Sequence, residues 1–147
     1  MPIKLSAPIF KTFELTEVDK RYANEGEPTR VIIKQATQAQ HEQRQQLFAT
    51  LERRYNDYEP DETTLVQTAN IEELKRLETY LTLCESNIMN ADGEAMFPSK
   101  KDKEGMPYLS MTRSQFDKSW GLLPPDIADE IHDKVTELNV MWGAKGG

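Results

Sequence analysis

The sequence predicts a mainly α domain with an N-terminal β-hairpin, an α+β fold of about four helices. Three observations predict it. Residues 1–36 are rich in proline, turn residues and β-branched residues, whereas residues 37–142 carry apolar side chains at helical spacing. Two Thr-x-x-Gln stretches and one Pro-Pro pair mark helix starts. A length of 147 residues suits one hydrophobic core. Residues 143–147 are predicted to be a flexible tail.

The N-terminal segment consists of two extended runs around a turn. In the first run Phe13, Leu15 and, less regularly, Val18 alternate with polar residues. The stretch ANEGEPT then supplies Asn, Gly and Pro, which favour turns. The following TRVIIKQAT is rich in β-branched residues. These features predict a β-hairpin that packs on the helices or adds to the edge of another sheet.

The first helix is predicted over residues 37–58, with Thr37 and Gln40 as a capping box. Its apolar side is thin and its first half is rich in glutamine. Such a helix is typical of a well exposed position, or of one that a partner completes. The apolar side consists of Ala39, Leu47, Phe48, Leu51 and Tyr55.

A second helix is predicted after an acidic linker over residues 59–68. Asn70 is its predicted cap, with Glu73 in the reciprocal position. Apolar residues at steps of three and four form one core-facing stripe: Ile71, Leu74, Leu77, Leu81, Cys84 and Ile88. On that stripe Cys84 is interpreted as a small packed apolar residue and not as a reactive thiol.

Residues 90–111 are predicted to be a long loop, since they contain Gly93, Pro98, Gly105 and Pro107 and the charged run KKDKE. A loop of that length in a small domain indicates either disorder or a functional loop. Apolar residues at its ends are expected to anchor it to the core. They include Met96, Phe97, Met106, Tyr108, Leu109 and Met111.

Two shorter helices are predicted to complete the domain. Thr112 and Gln115 form a second capping box, and Gly121 is the predicted stop. Pro124 and Pro125 then begin the fourth helix. Its predicted inner stripe is Ile127, Ile131, Val135 and Leu138, and its predicted wetter positions are Asp126, Asp129, Glu130, Asp133 and Glu137. Phe116, Trp120, Ile127 and Ile131 are predicted to be buried beneath the corner that joins the two helices.

Composition and motifs predict a protein without catalytic residues, metal or cofactor. The net charge of −7 disfavours nonspecific binding to nucleic acid. A single cysteine excludes an internal disulfide, and no apolar run suggests a membrane span. No nucleophile elbow or phosphate-binding glycine loop occurs. His132 lies among carboxylates, but His41 is the one other histidine that could join a metal site. A reducing cytoplasm is therefore the expected location.

Several apolar residues have two interpretations that the sequence leaves open, because they suit either a core or a docking surface. As candidates for partner binding we take two groups. One lies on the first helix, Leu47, Phe48, Leu51 and Tyr55, and the other lies at the corner, Trp120, Leu122 and Leu123.

Three stretches carry a resemblance to a known family: IIKQAT, DGEAMF and the spacing W-x-x-L-P-P-x-I-A-D-E-I. Over roughly residues 13–142 the chain resembles the tail assembly chaperones of long-tailed, siphovirus-type bacteriophages. The resemblance implies a non-catalytic protein of the infected bacterial cytoplasm. It would bind the tape-measure protein and recruit tail-tube subunits during tail morphogenesis, and it would be absent from the finished virion.

Two other functions remain open at this point. One is a structural virion protein, such as a neck or tail-completion subunit, which would remain with purified particles. The other is an acidic inhibitor that mimics nucleic acid, although lysines and arginines interrupt the carboxylates in the first half of the chain. Self-association is possible under each hypothesis, and none requires nucleic acid or a membrane.

Overall fold

The computed structural model describes residues 2–3, 9–57 and 63–143. Over these residues the predicted α+β class is confirmed, with five helices, four of them of seven or more residues, and a small antiparallel N-terminal sheet. The strands are β1 (Phe10–Glu14), β2 (Arg30–Lys34), β3 (Leu83–Ser86), β4 (Ser99–Lys101) and β5 (Pro107–Leu109). The helices are α1 (Thr16–Arg21), α2 (Gln38–Asn56), α3 (Thr63–Thr82), α4 (Arg113–Gly121) and α5 (Pro125–Leu138), followed by a 3-10 turn, Val140–Trp142.

The main sheet has the order β1-β2-β3 and is antiparallel throughout. The predicted pairing of the two N-terminal strands is confirmed, with Phe13 opposite Val31. The prediction that the first strand continues towards Val18 is wrong, because the chain enters α1 at Thr16. No side chain of α1 itself caps that helix. The carboxylate of Glu130 does so from α5, at 2.7 Å from the Val18 nitrogen.

The core lies between the sheet and the helices α3, α4 and α5. In β2 the buried residues Val31 and Ile33 alternate with exposed or half-buried ones, as a sheet with one covered face requires, and in β1 Phe13 is the buried residue. The core consists of Phe13, Leu15, Val18, Val31, Ile33, Leu77, Leu81, Leu83, Phe97, Phe116, Trp120, Leu123, Ile131, Val135 and Trp142.

Both predicted capping boxes are confirmed. The Thr37 and Thr112 hydroxyls accept hydrogen bonds from the backbone N–H groups of Gln40 and Gln115. In return, each glutamine side-chain oxygen accepts a hydrogen bond from the backbone N–H of its threonine. The predicted linker over residues 59–68 is wrong from Thr63 onwards, where α3 begins; residues 58–62 lie outside the described residues.

Asn70 is not a helix cap, because it lies inside α3. Its side-chain nitrogen donates to the Leu51 carbonyl of α2, 3.0 Å away. The prediction that helical spacing continues to Ile88 is also wrong. The α-helix ends at Thr82 and the chain continues as β3, so that Cys84 belongs to a strand and Ile88 follows it. Helical spacing alone could not show this change, since the residues that follow Thr82 are held by pairing with β2.

The predicted long loop over residues 90–111 contains regular structure. β4 and β5 pair as an antiparallel hairpin, and Met89 bridges to Ala95. In the turns that contain Gly93 and Gly105, the side chains of Asn90 and Asp102 each accept hydrogen bonds from two backbone N–H groups. Both glycines have positive φ, 80° and 81°, which favours glycine.

The expected anchoring of this segment is confirmed for Phe97, which is fully buried, and holds only in part for Met96, Leu109 and Met111. The charged run KKDKE covers the end of β4 and the turn that follows it, and is exposed. Tyr108 is also exposed.

The corner between α4 and α5 is close to its prediction. Phe116, Trp120 and Ile131 are buried as predicted, but Ile127 is only half-buried. Glu130 was predicted to face solvent and is buried. Pro125 is the first helical residue, as predicted. The predicted tail is described only at Gly143; residues 144–147 lie outside the described residues.

Candidate partner-binding groove

The predicted partner-binding residues do not form one surface. Phe48, Leu51 and Tyr55 line a groove between α2 and α3, hereafter the groove. Leu47 lies on another side of α2, in a depression that Leu77 also lines. The corner residues separate as well: Trp120 and Leu123 belong to the core, and Leu122 is 70% exposed.

The groove is an open, mainly apolar hollow of about 330 Å³. Its lining residues are Phe48, Leu51, Glu52 and Tyr55 from α2 with Gln67, Asn70, Ile71 and Leu74 from α3. Phe48 and Tyr55 are each 37% exposed and Ile71 is 49% exposed, whereas Leu51 is only 4% exposed and forms the floor. The expectation that the apolar side of this helix is exposed is therefore wrong for Leu51. The α3 wall was missed, because Ile71 and Leu74 were assigned to the core.

Polar contacts hold the two helices on either side of this apolar hollow. The Asn70 side chain bonds to the Leu51 carbonyl, and Arg54 forms an ion pair with Glu73 at 2.9 Å. The Arg44 guanidinium lies 5.6 Å from the centre of the Phe48 ring. The groove therefore exists in the free chain and does not require a partner to form it.

A buried charge cluster lies farther along the same two helices. The Arg44 Nε donates to Glu78 Oε2 at 2.8 Å, and its terminal nitrogen donates to the Gln45 side chain at 2.7 Å. His132 Nε2 of α5 lies 2.6 Å from the other Glu78 oxygen. The side chains of Arg44 and Glu78 are only 3% and 2% exposed. Both Glu78 oxygens are occupied, and the cluster joins α2, α3 and α5.

Only a weak feature of the sequence pointed to this cluster. Arginine and glutamate side chains on a helix are normally exposed to solvent, so their presence at Arg44 and Glu78 did not predict burial. The one signal was weak: Glu78 falls between Leu77 and Leu81, on the face that is predicted to be buried. His132 was considered as a metal ligand, but the structure places it beside Glu78 instead.

The buried thiol of Cys84 also has a structural environment. Its Sγ lies 3.4 Å from the Thr82 carbonyl, and burial raises the pKa of the thiol to about 11. The thiol therefore stays protonated at neutral pH and is a poor nucleophile. The interpretation of Cys84 as a packed apolar residue is confirmed by its exposure of 2%.

Within residues 2–3, 9–57 and 63–143, no three His, Cys, Asp or Glu side chains are grouped so that they could hold a metal ion. Among the helices described, none is both long and apolar enough to cross a membrane. Comparison of the chain with family models, curated proteins and solved structures finds no match.

Proposed function

We propose that this protein is a non-catalytic tail assembly chaperone, which binds the tape-measure protein and recruits tail-tube subunits in the cytoplasm of an infected bacterium. The observation that carries the proposal is the open apolar groove between α2 and α3. The resemblance over residues 13–142 supplies the identity of the client, and the groove supplies a surface that could hold it.

The groove has the form that helix recognition requires. Its exposed apolar side chains are contiguous, with Phe48 and Tyr55 on one wall and Ile71 on the other. Phe48 and Tyr55 lie about 10 Å apart along α2, or two helical turns. An amphipathic helix presents apolar side chains at i, i+3, i+4 and i+7 over the same length, and such helices bind in apolar grooves of this kind.

The remaining surface suits a protein that keeps an aggregation-prone client in solution. The net charge of −7 favours solubility of a complex. The buried charged side chains have partners within the fold: Arg44 and His132 share the Glu78 carboxylate, and Glu130 accepts hydrogen bonds from the backbone of α1. This arrangement supports a binding role over a catalytic one.

Co-expression with the tape-measure protein of the same phage tests the proposal. We expect the wild-type chain to co-purify with that protein and to raise its soluble yield. Ile71→Glu should remove both effects, because it places a charge on the groove wall at a site that is already 49% exposed. Leu51→Glu is unsuitable, since Leu51 is buried and the variant would unfold.

Met89→Glu is the matched control, because Met89 is 63% exposed and lies outside the groove. It should behave as wild type. Circular dichroism must show that both variants keep their helical content. Retention of the tape-measure protein by Ile71→Glu would contradict the proposal. Presence of the protein in purified virions would favour a neck or tail-completion subunit instead.

A further inference from the structure

The C-terminal 3-10 turn, Val140–Trp142, is joined to α2 by a hydrogen bond of Trp142. The Trp142 indole N–H donates to His41 Nδ1, with 3.0 Å between the two nitrogens. The two rings are nearly parallel, with 13° between their planes and 6.5 Å between their centres. Trp142 is only 4% exposed, whereas Val140 and Met141 are 74% and 65% exposed. Trp142 is therefore the residue that anchors this turn.

The hydrogen bond requires the neutral form of His41. An indole nitrogen donates and cannot accept, so His41 Nδ1 must supply the lone pair, and the single ring proton of the histidine must lie on Nε2. In the charged imidazolium form both ring nitrogens carry a proton and neither can accept a hydrogen bond. Protonation of His41 therefore removes the acceptor and turns two N–H groups towards each other.

The surroundings of His41 offer no carboxylate to stabilise the imidazolium form. A hollow of about 210 Å³ lies between α2 and the C-terminal turn. Its lining residues come from the connection between β2 and α2, from His41, and from the end of α5 with the turn. Apart from His41, none of these lining residues has an ionisable side chain. The Asn139 oxygen, which belongs to the lining, already accepts the Ala36 N–H at 2.8 Å.

The charged residues of the neighbouring elements are engaged elsewhere or are only adjacent in sequence. On α2, Glu42 follows the histidine directly, and adjacent side chains diverge by about 100° around a helix. Arg44 is paired within the buried cluster. Lys34 ends β2, and Glu137 of α5 lies 3.8 Å from Lys134. Over the described residues, the imidazole forms no ion pair with any of them.

We propose that His41 makes an acid-sensitive contact, in which the neutral ring holds the C-terminal turn on α2 and protonation loosens it. A bond that only the neutral ring can make contributes stability above about pH 6.5, where an unperturbed histidine is mostly uncharged. That contribution is lost as the pH falls. The inference concerns the end of the chain and does not depend on the groove or on the proposed function.

Loosening of the turn would increase the apolar surface at this end of the molecule. Trp142 belongs to the core, and Leu138 is half-buried against it. Val140 and Met141, which flank Trp142 in the same turn, are exposed already. The acidic form would therefore present the indole beside these side chains, whereas the neutral form covers it.

The indole N–H signals in nitrogen–proton NMR spectra test the inference, because the sequence has only two tryptophans. Between about pH 7.5 and about pH 5, solvent exchange of the Trp142 indole hydrogen should rise about tenfold relative to that of Trp120, as expected for the loss of one buried hydrogen bond. Trp120, at the corner between α4 and α5, reports the general effect of pH on indole exchange. The carbon-bound protons of the imidazole show when His41 takes up its proton.

Two substitutions at His41 separate the charge of the ring from its hydrogen bond. His41→Asn places a carbonyl oxygen close to the position of Nδ1, and this oxygen accepts at any pH. The Trp142 hydrogen should then stay protected at both pH values. His41→Leu has no acceptor and should show the faster exchange at both pH values.

His132→Gln is the matched control, because it removes the one other histidine, which lies beside Glu78 and does not contact the turn. It should keep the acid response of Trp142. Protonation of His41 without any change at Trp142 in the wild-type chain would overturn the inference. An equal acid response in His41→Asn, or its loss in His132→Gln, would assign the response to another group. Circular dichroism shows whether each variant is folded, and the wild-type titration decides alone where a variant is not.

Discussion

Helices α5 and α2 differ in how the fold uses them. α5 has 14 residues and buries Ile131 and Val135 completely against the core. α2 is longer, with 19 residues, yet its buried residues are only Arg44 and Leu51. The shorter helix is therefore held by apolar burial and the longer one by a few specific contacts. Length and helical regularity do not indicate how much of a helix serves the core.

The difference also separates two kinds of stabilisation. Apolar burial around α5 contributes in proportion to the area removed from water. The Arg44–Glu78 pair that fixes α2 to α3 must first overcome the loss of hydration of two charges. Such a pair fixes how α2 lies against α3 more than it adds to the free energy of unfolding. The outer part of α2 can thus keep apolar side chains exposed without being needed for folding.

The largest expected effect tests the region around α5. Trp120→Ala should lower the free energy of unfolding by about 3–5 kcal/mol, because Trp120 is 8% exposed and its ring lies 5.9 Å from that of Phe116. Urea unfolding measures it. Leu122→Ala, at 70% exposure, should change the stability by about 0.5 kcal/mol or less. Similar losses in both variants would contradict the burial of the corner.

The next effect tests the charged contact of α2. Glu78→Gln should cost about 3 kcal/mol, since it leaves Arg44 buried without its counter-charge. Glu73→Gln removes an exposed ion pair between the same helices and should cost about 1 kcal/mol or less. Equal and small effects would show that the buried cluster does not hold α2 to α3.

A smaller effect concerns α1, which depends on α5 for its cap. Glu130→Ala should cost about 1–2 kcal/mol, because the Glu130 carboxylate accepts hydrogen bonds from the Glu17 and Val18 amides. Hydrogen exchange should accelerate at these two amides before it does in β2. Asp133→Ala, at an exposed position of the same helix, is the control. Unchanged protection of Val18 in Glu130→Ala would contradict the capping role.

The features that the sequence predicted well are local. The capping boxes at Thr37 and Thr112 and the Pro-Pro start of α5 use residues three or fewer positions apart, so they are visible in the sequence alone. The strand β3 and helix α1 were missed because distant groups hold them. β3 pairs with β2, and α1 is capped by Glu130, 112 positions away from Val18.

The α2 wall of the groove was predictable because its pattern is also local in sequence. The thin apolar stripe of α2 indicated exposed side chains, and Phe48 and Tyr55 are exposed. Regular spacing on α3 indicated one apolar face, but spacing does not show what covers that face. Ile71 and Leu81 belong to the same stripe, and the fold covers only Leu81. The buried Arg44–Glu78–His132 cluster depends on three helices meeting, which no local pattern records.

The smallest expected effect compares one residue type in the two regions. Ile71→Ala should cost about 1 kcal/mol or less, since the Ile71 side chain is 49% exposed and alanine has the higher helix propensity. Ile131→Ala removes the same atoms from a site with 0% exposure and should cost about 2–5 kcal/mol. Both are measured by urea unfolding with unchanged m-value. If Ile71→Ala were as costly as Ile131→Ala, the groove wall would be part of the core, and its apolar residues would need no partner to account for them. A small cost at Ile71, together with lost binding in Ile71→Glu, would separate binding from folding within a single helix.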